Sequence, residues 1–142
     1  MITKKQFGRI NLTTFSDRDF NLTPIEFKDI VPFEVKRIYY IDNIKLGDEI
    51  GGHCHKIEEE LFVIIKGSIT AIIDAGRGKE NIRLCGTTDA IYVPNYVWHG
   101  FKDASTDCVI LALSSTNYKP TREDYIEDYN EHLQIRNYRL NI

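Results

Sequence analysis

From residue 8 to about residue 115 the chain repeats one theme. Short segments, apolar throughout or alternating apolar with polar, are each stopped by Gly, Asp, Asn or Pro. Period-two alternation places successive side chains on opposite faces of an extended strand, so this rhythm predicts an all-β chain. The predicted strands are Arg9–Thr14, Thr23–Phe27, Glu34–Ile41, Glu49–His55, Glu60–Lys66, Ser68–Asp74, Glu80–Leu84, Ala90–Pro94 and Cys108–Ser114. So many brief strands favour a sandwich or barrel. Ala75-Gly76-Arg77-Gly78 supplies a hairpin turn with two permissive glycines. Leu61-Phe62-Val63-Ile64-Ile65 is apolar on both faces, so its outer face needs a cover. A second subunit is the default expectation, hence a homodimer; a cover from the same chain competes with it.

One helix is predicted at the C-terminal end. Thr121 is a candidate N-cap with an acid three residues on, and Tyr125, Ile126, Tyr129 and Leu133 form a stripe that packs against the barrel. Arg136–Ile142 is expected to be a flexible end. At 142 residues the chain is read as one domain, 1–142. Its 42% hydrophobic and 27% charged residues exclude disorder and collagen-like repeats. A formal charge of -3 gives no net positive field, so neither nucleic acid nor an anionic membrane is an expected partner. The longest clear apolar run, Leu61–Ile65, is far short of the roughly 20 residues that span a bilayer, and MITKKQFGRINL has no signal-like apolar region. Three scattered cysteines fit a reducing cytoplasm rather than a disulfide framework.

His53 and His55 flank Cys54, so in a strand both imidazoles point one way and the thiol points the other. Three readings are open for His53, His55, Glu60 and His99. They can bind a divalent metal, since three imidazoles and a carboxylate suit iron, manganese, nickel or zinc. They can perform metal-free acid/base chemistry, for which imidazole titrates in the right range. His99, beside Trp98, can simply fill the core. Tyr39 and Arg37 share a face of a neighbouring predicted strand. Glu58-Glu59-Glu60 and Lys56 read mainly as solvated surface, with Glu60 kept for its place in the pattern.

Gly47, His53, His55, Glu60 and Gly67, followed by Pro94 and His99, resemble the two motifs of the cupin superfamily, though Tyr96 stands where the second motif expects glycine. A narrower likeness runs from about residue 9 to 134. It is carried by Leu22-Thr23-Pro24-Ile25-Glu26, Pro32 through Tyr40, Gly51-Gly52-His53-Cys54-His55-Lys56, Val93-Pro94 with Val97-Trp98-His99, and Asp124 through Tyr129. These segments resemble the WxcM-like sugar 3,4-ketoisomerases. The resemblance implies a cupin-type double-stranded β-helix, or jelly roll. It also implies conversion of a dTDP-4-keto-6-deoxyhexose to its 3-keto isomer, on the way to dTDP-3-amino sugars. It implies no cofactor and a soluble homodimer whose partner is the dTDP-linked sugar.

On that resemblance His53 and His55 are the acid/base pair. Tyr39 and Arg37 are candidates for oxyanion stabilisation or for sugar and pyrophosphate binding, and Trp98, His99, Glu60 and Lys56 complete the expected substrate site. Two positions depart from the family. Ile50 stands where arginine is usual, which removes a charge expected near the ligand, and Glu60 stands where glutamine is usual. Arg18, Lys56 or Arg37 then remain for the phosphates. The competing expectations are a metal-dependent cupin using His53, His55, Glu60 and His99, and a non-catalytic nucleotide-sugar-binding module.

Overall fold

Residues 5–140 are described by the computed structural model. In chain order the strands are β1 (Gly8–Asn11), β2 (Phe15–Ser16), β3 (Asn21–Leu22), β4 (Arg37–Ile41), β5 (Ile50–His55), β6 (Glu60–Lys66), β7 (Ser68–Asp74), β8 (Glu80–Cys85), β9 (Asp89–Val93), β10 (Trp98–Lys102), β11 (Val109–Ser114) and β12 (Tyr125–Ile126). Two helices, α1 (Phe27–Ile30) and α2 (Tyr129–Leu140), complete the set. One sheet runs β1-β9-β6-β11-β4 and the other β12-β5-β10-β7-β8, all antiparallel, while β2 and β3 form a separate hairpin. The expected all-β jelly roll with a C-terminal helix is what the chain adopts.

The inward residues of both sheets form the main core, with Phe62 and Ile64 of β6 meeting Ile69, Ala71 and Ile73 of β7 and Phe101 of β10. The odd-numbered residues of β6 point the other way. Leu61 and Val63 pack with Leu12, Val31 and Leu113, over which Ile25, Ile30, Phe33 and Val35 lie. The outer face of Leu61–Ile65 is therefore covered largely by the chain's own N-terminal segment, so this strand does not itself call for a second subunit. The predicted turn at Ala75–Gly78 is present, and buried Asp74 accepts the amide hydrogens of Gly76 and Gly78 there.

Three local expectations are corrected. Thr23–Phe27 is not a strand: β3 ends at Leu22, and the chain then closes a helical turn in which the Val31 amide donates to the Phe27 carbonyl. Trp98–Lys102, not predicted, is a strand that pairs with both β5 and β7. The C-terminal helix starts at Tyr129 rather than after Thr121. Asp128 caps it by accepting the Glu131 amide at 2.9 Å, and the helix runs through residues 136–140 of the end expected to be flexible, residues 141 and 142 of which lie outside the described ones. Tyr125 and Ile126 instead pair with His55 and Cys54 as β12. That pairing satisfies backbone groups on the open edge of β5, a gain that outweighs a weak local helix preference.

Glycine decides how close β5 and β10 come. Gly51 has φ +76°, and a Cβ there would lie 3.0 Å from the Gly100 Cα, while a Cβ on Gly100 would lie 3.0 Å from the Gly52 amide nitrogen. This close approach, with a register shift between His99 and Gly100, sets His53 directly opposite His99. Gly51→Ala combines left-handed strain with a backbone clash. It is expected to cost about 1–3 kcal/mol, read as a fall in the urea midpoint; an unchanged midpoint would mean that the strands have room to part.

Candidate active site

Alternation along four strands gathers the site inside the mouth of the jelly roll. β4 turns Arg37 and Tyr39 inward, β6 contributes Glu60, β10 contributes His99, and β5 contributes His53 and His55. The His53 ring centroid lies 4.8 Å from that of His55 and 4.7 Å from that of His99. Cys54 points the opposite way, fully buried beside Trp98 and Ile126. Two open cavities meet at this cluster. One, of about 500 Å³, is lined by Arg37, Tyr39, His53, His55, Tyr118 and Tyr125 among others. The other, of about 510 Å³, runs inward past His53 and His99 to Ile50 and Phe101.

Glu60 sits where the groups converge. The Tyr39 hydroxyl donates to Glu60 Oε1 at 2.5 Å, and Glu60 Oε2 lies 3.2 Å from His99 Nε2 and 3.6 Å from His55 Nε2. His99 Nδ1 faces the Val97 carbonyl at 3.1 Å and must donate to it. Its Nε2 then faces the Glu60 carboxylate, with which it forms an ion pair when the ring carries both hydrogens. Burial pushes the Glu60 carboxyl up, but the His99 hydrogen bond, the charges of His99 and His55 and the Tyr39 hydroxyl together hold it down at about 2. Burial, reinforced by the Glu60 charge, raises the Tyr39 phenol, which stays a proton donor.

The two flanking histidines have unlike surroundings. Burial and the neighbouring His99 and His55 push His53 down to about 3, so it is neutral near pH 7. His55 is also lowered by burial, yet Glu60 and Asp124 pull against that direction. Its Nδ1 lies 3.1 Å from Asp124 Oδ2 and 3.5 Å from Glu58 Oε2. Asp124 is itself held by the Ile57 and Glu58 amides at 2.6 and 3.1 Å. The acceptor at Nδ1 places the hydrogen of a neutral His55 there and leaves Nε2 with its lone pair.

The sequence-predicted residues are thus partly brought together. His53, His55, Tyr39, Arg37, Glu60 and His99 line the joined cavities. Trp98 does not: with His99 turned inward, alternation turns Trp98 outward, its ring 5.1 Å from Tyr129 under α2. Lys56 is exposed and serves through its backbone, donating its amide to the Asp124 carbonyl and accepting from Asn95. Arg37 donates to Glu58 Oε1 at 2.7 Å while its Nε is buried without an acceptor. The acidic run is not solvated surface, since all three carboxylates are buried. Glu58 is held by Arg37 and Ser114, Glu59 by Lys5 and the Tyr92 hydroxyl, and Glu60 as above. Glu58, Asp124 and Tyr125 are site residues that the sequence reading missed; the strand pairing of Tyr125 with His55, which locates them, has no local signal.

The ring nitrogens of His53, His55 and His99 lie within 4.8 Å of one another, close enough to share a divalent ion. These buried groups also give acid sensitivity a definite sign. An unfolded His53 binds its proton below about 6.5 whereas the folded site refuses it until about 3, so stability drops as pH falls through that window. Glu60, held at about 2 against an ordinary 4.5, loses its contribution as pH falls from 4.5 toward 2, in the same direction. The urea midpoint is expected to decline steadily below pH 6.5, and less steeply in His53→Asn. A midpoint constant down to pH 4.5 would contradict the burial of a neutral imidazole.

Comparison with known proteins identifies the family. The family described as FdtA: WxcM-like, C-terminal matches residues 5–137. The chain is 38% identical over 120 residues, covering 84% of it and 85% of its relative, to the TDP-4-oxo-6-deoxy-alpha-D-glucose-3,4-oxoisomerase of Aneurinibacillus thermoaerophilus. Among solved structures it is similar to the sugar 3,4-ketoisomerase QdtA of Thermoanaerobacterium thermosaccharolyticum in complex with TDP. That match has 29% identity and a TM-score of 0.86, over 94% of this chain and 96% of that one. A 3,4-ketoisomerase of Helicobacter canadensis matches at 29% identity and a TM-score of 0.84, over 92% and 97% of the two chains. These are cupin-type jelly rolls, and the shared fold, the shared sequence and the inward histidines agree: the chain belongs to the WxcM-like family of sugar 3,4-ketoisomerases.

Proposed function

We propose that this single domain isomerises a TDP-4-keto-6-deoxyhexose to its 3-keto form, without a redox cofactor, using the cavity around His53 and His55. The observation that carries the reading is the pairing of a neutral His53 with a His55 whose tautomer Asp124 fixes, both facing one open cavity. His55 Nε2 takes the C3 proton, and the electrons of that C–H bond form the C3=C4 double bond as the C4 oxygen becomes an enolate. His53, a neutral donor, hydrogen-bonds that oxygen where its charge develops. The C3 hydroxyl then passes its proton to the C4 oxygen, which becomes the C4 hydroxyl. As C3=O forms, the electrons of the C3=C4 bond take a proton at C4 from the His55 imidazolium, exchanged with solvent, which returns His55 to its neutral form. The imidazolium formed on His55 is stabilised by Asp124, Glu58 and Glu60, whereas His53 faces two other imidazoles, which oppose its charging. That contrast assigns the base to His55.

An adjoining cavity of about 420 Å³ shares Arg37, Tyr118 and Tyr125 with the catalytic one and adds Lys119 and Arg122. Its lining mixes these cations with Glu58, Glu123 and Asp124, and Arg37 and Arg122 are paired with Glu58 and Glu127, so Lys119 is the cation it offers most freely to the diphosphate of a nucleotide sugar in place of the charge missing at Ile50. Asp124→Asn keeps a carbonyl acceptor for the turn amides but loses the charge opposite His55. A drop in kcat of about 10-fold or more, with KM little changed, is expected from steady-state kinetics, and full kcat would remove Asp124 from the mechanism.

The three convergent imidazoles favour a second reading, a metal-dependent isomerase using His53, His55 and His99. Elemental analysis after chelation separates them: full activity with less than stoichiometric metal excludes the second, and activity restored only by a divalent ion excludes the first. We also propose a homodimer in a reducing cytoplasm. Edge strand β4 exposes Ile38 and Tyr40, and Cys54, Cys85 and Cys108 are all free. Sedimentation is expected to give about twice the 16.5 kDa chain mass, and a monomer at every concentration would oppose it. Among the described residues no helix is long and apolar enough to cross a membrane.

A further inference from the structure

Behind the catalytic strand, on the outer face of the second sheet, lies a cavity of about 700 Å³ that shares no lining residue with the catalytic ones. It sits between α2 and the turn after β7. His132, Arg136 and Arg139 line it from α2, spaced so that they share one helix face, with Tyr96 and Gly76 opposite. No acidic side chain lines it.

Its donors are incompletely used. Arg136 Nη1 lies 3.3 and 3.0 Å from the two oxygens of buried Asp74, which balances its charge. Arg136 Nε is buried and has no acceptor, and Nη2 reaches only Asn137 Oδ1 at 3.5 Å. That Nε–Nη2 edge is the one with which a guanidinium grips an oxyanion through two parallel hydrogen bonds. His132 is 2% exposed and its Nε2 also has no partner; Asp74 Oδ2 is 3.8 Å away. On the other side of the ring, His132 Nδ1 is 3.3 Å from Cys54 Sγ. Burial, with Glu131 and Asp124 nearby, pushes the Cys54 thiol up to about 12, so it keeps its hydrogen and is available to donate to Nδ1, and Asp74 facing Nε2 favours the tautomer that accepts it. A neutral His132 then carries its own hydrogen at Nε2. Arg139 lies over the Tyr96 ring, 3.9 Å from its centroid, and has no acidic partner among the described residues. Gly76 leaves bare backbone on this side, for a Cβ there would meet nothing within 4 Å.

Buried donors without acceptors are rare in native proteins and are met by ordered water, an ion or a ligand, and here two of them flank one cavity. We propose that this cavity is a second ligand site, for an oxyanion of the phosphate class, gripped by the Nε–Nη2 edge of Arg136, by His132 Nε2 and by the Arg139 guanidinium. A planar carboxylate satisfies the Arg136 edge alone, whereas a tetrahedral phosphate presents further oxygens to His132 and Arg139.

The test is a titration of the full chain with inorganic phosphate, at ionic strength held constant with chloride, following the amide resonances of Gly76 and His132. Saturable shifts are expected, with affinity at least tenfold weaker in Arg139→Met and for acetate in place of phosphate. Arg136→Lys keeps a cation opposite Asp74 but lacks the two-donor edge, and is expected to abolish saturation. Should that variant fail to fold, Arg139→Met, a change at an exposed side chain, decides alone. Shifts that do not saturate, that saturate equally in Arg139→Met, or that acetate reproduces at the same affinity overturn the proposal. None of these outcomes depends on turnover of a keto sugar, so they stand apart from the assignment of the catalytic cavity.

Discussion

His55→Asn is expected to lower kcat by about 10²–10⁴-fold, the usual contribution of a positioned general base, while thermal unfolding stays cooperative. The asparagine amide keeps a donor for Asp124 but has no basic nitrogen, so the C3 proton has nowhere to go. His53→Asn is expected to fall by about 10²–10³-fold, the usual effect of losing one oxyanion donor. The two variants differ in their pH dependence. The acid limb of kcat/KM reports the base of the free enzyme, so it persists in His53→Asn and vanishes in what activity His55→Asn retains. Full turnover in either variant would remove that ring from the chemistry. Binding of TDP with no conversion by the unaltered chain would leave only a nucleotide-sugar-binding module.

Glu60→Ala is expected to cost about 3–5 kcal/mol, the range for removing one partner of a buried charged pair. The Tyr39 hydroxyl, His99 Nε2 and His55 Nε2 all face this carboxylate, and alanine offers none of the three a replacement acceptor. Glu60→Gln behaves differently. Its carbonyl still accepts from Tyr39, and its amide donates to a neutral His99 whose Nδ1 is committed to the Val97 carbonyl, so every group is satisfied with one proton fewer. It is expected to remain within about 1.5 kcal/mol of the unaltered chain and to lose the part of the acid sensitivity between pH 4.5 and 2. Equal losses for Ala and Gln in chemical denaturation would show that the carboxylate charge, rather than its acceptor capacity, holds the site together.

The inward pair at His53 and His55 was legible because strand alternation is local: residues two apart share a face whatever the rest of the chain does. The same rule placed Tyr39 with Arg37 and turned Cys54 away. It was not carried to Trp98 and His99, because the strand holding them was not recognised; applied there, it turns Trp98 out of the site. The acidic run from Glu58 to Glu60 misled for another reason. Three carboxylates in sequence look solvated, and only tertiary structure supplies Arg37, Ser114, Lys5, Tyr92 and Tyr39 to receive them. Asp124 stood in a stretch whose local pattern reads as helix, and its role depends on the pairing of Tyr125 with His55 across 70 positions. The cover over β6 was foreseen as a need, with a second subunit as the default and the same chain as the competitor; residues 12 to 35 of the same chain supply much of it.

Solvent isotope incorporation tests the central claim most directly. The chain is incubated with TDP-4-keto-6-deoxyglucose in deuterated buffer, and the product is examined by NMR. Proton transfer through His55, with His53 hydrogen-bonding the enolate, predicts a 3-keto sugar with deuterium at C4, formed about 10²–10⁴-fold more slowly by His55→Asn. A 3-keto product that carries the original hydrogen at C4 and no label would point to direct transfer within the sugar and contradict the account.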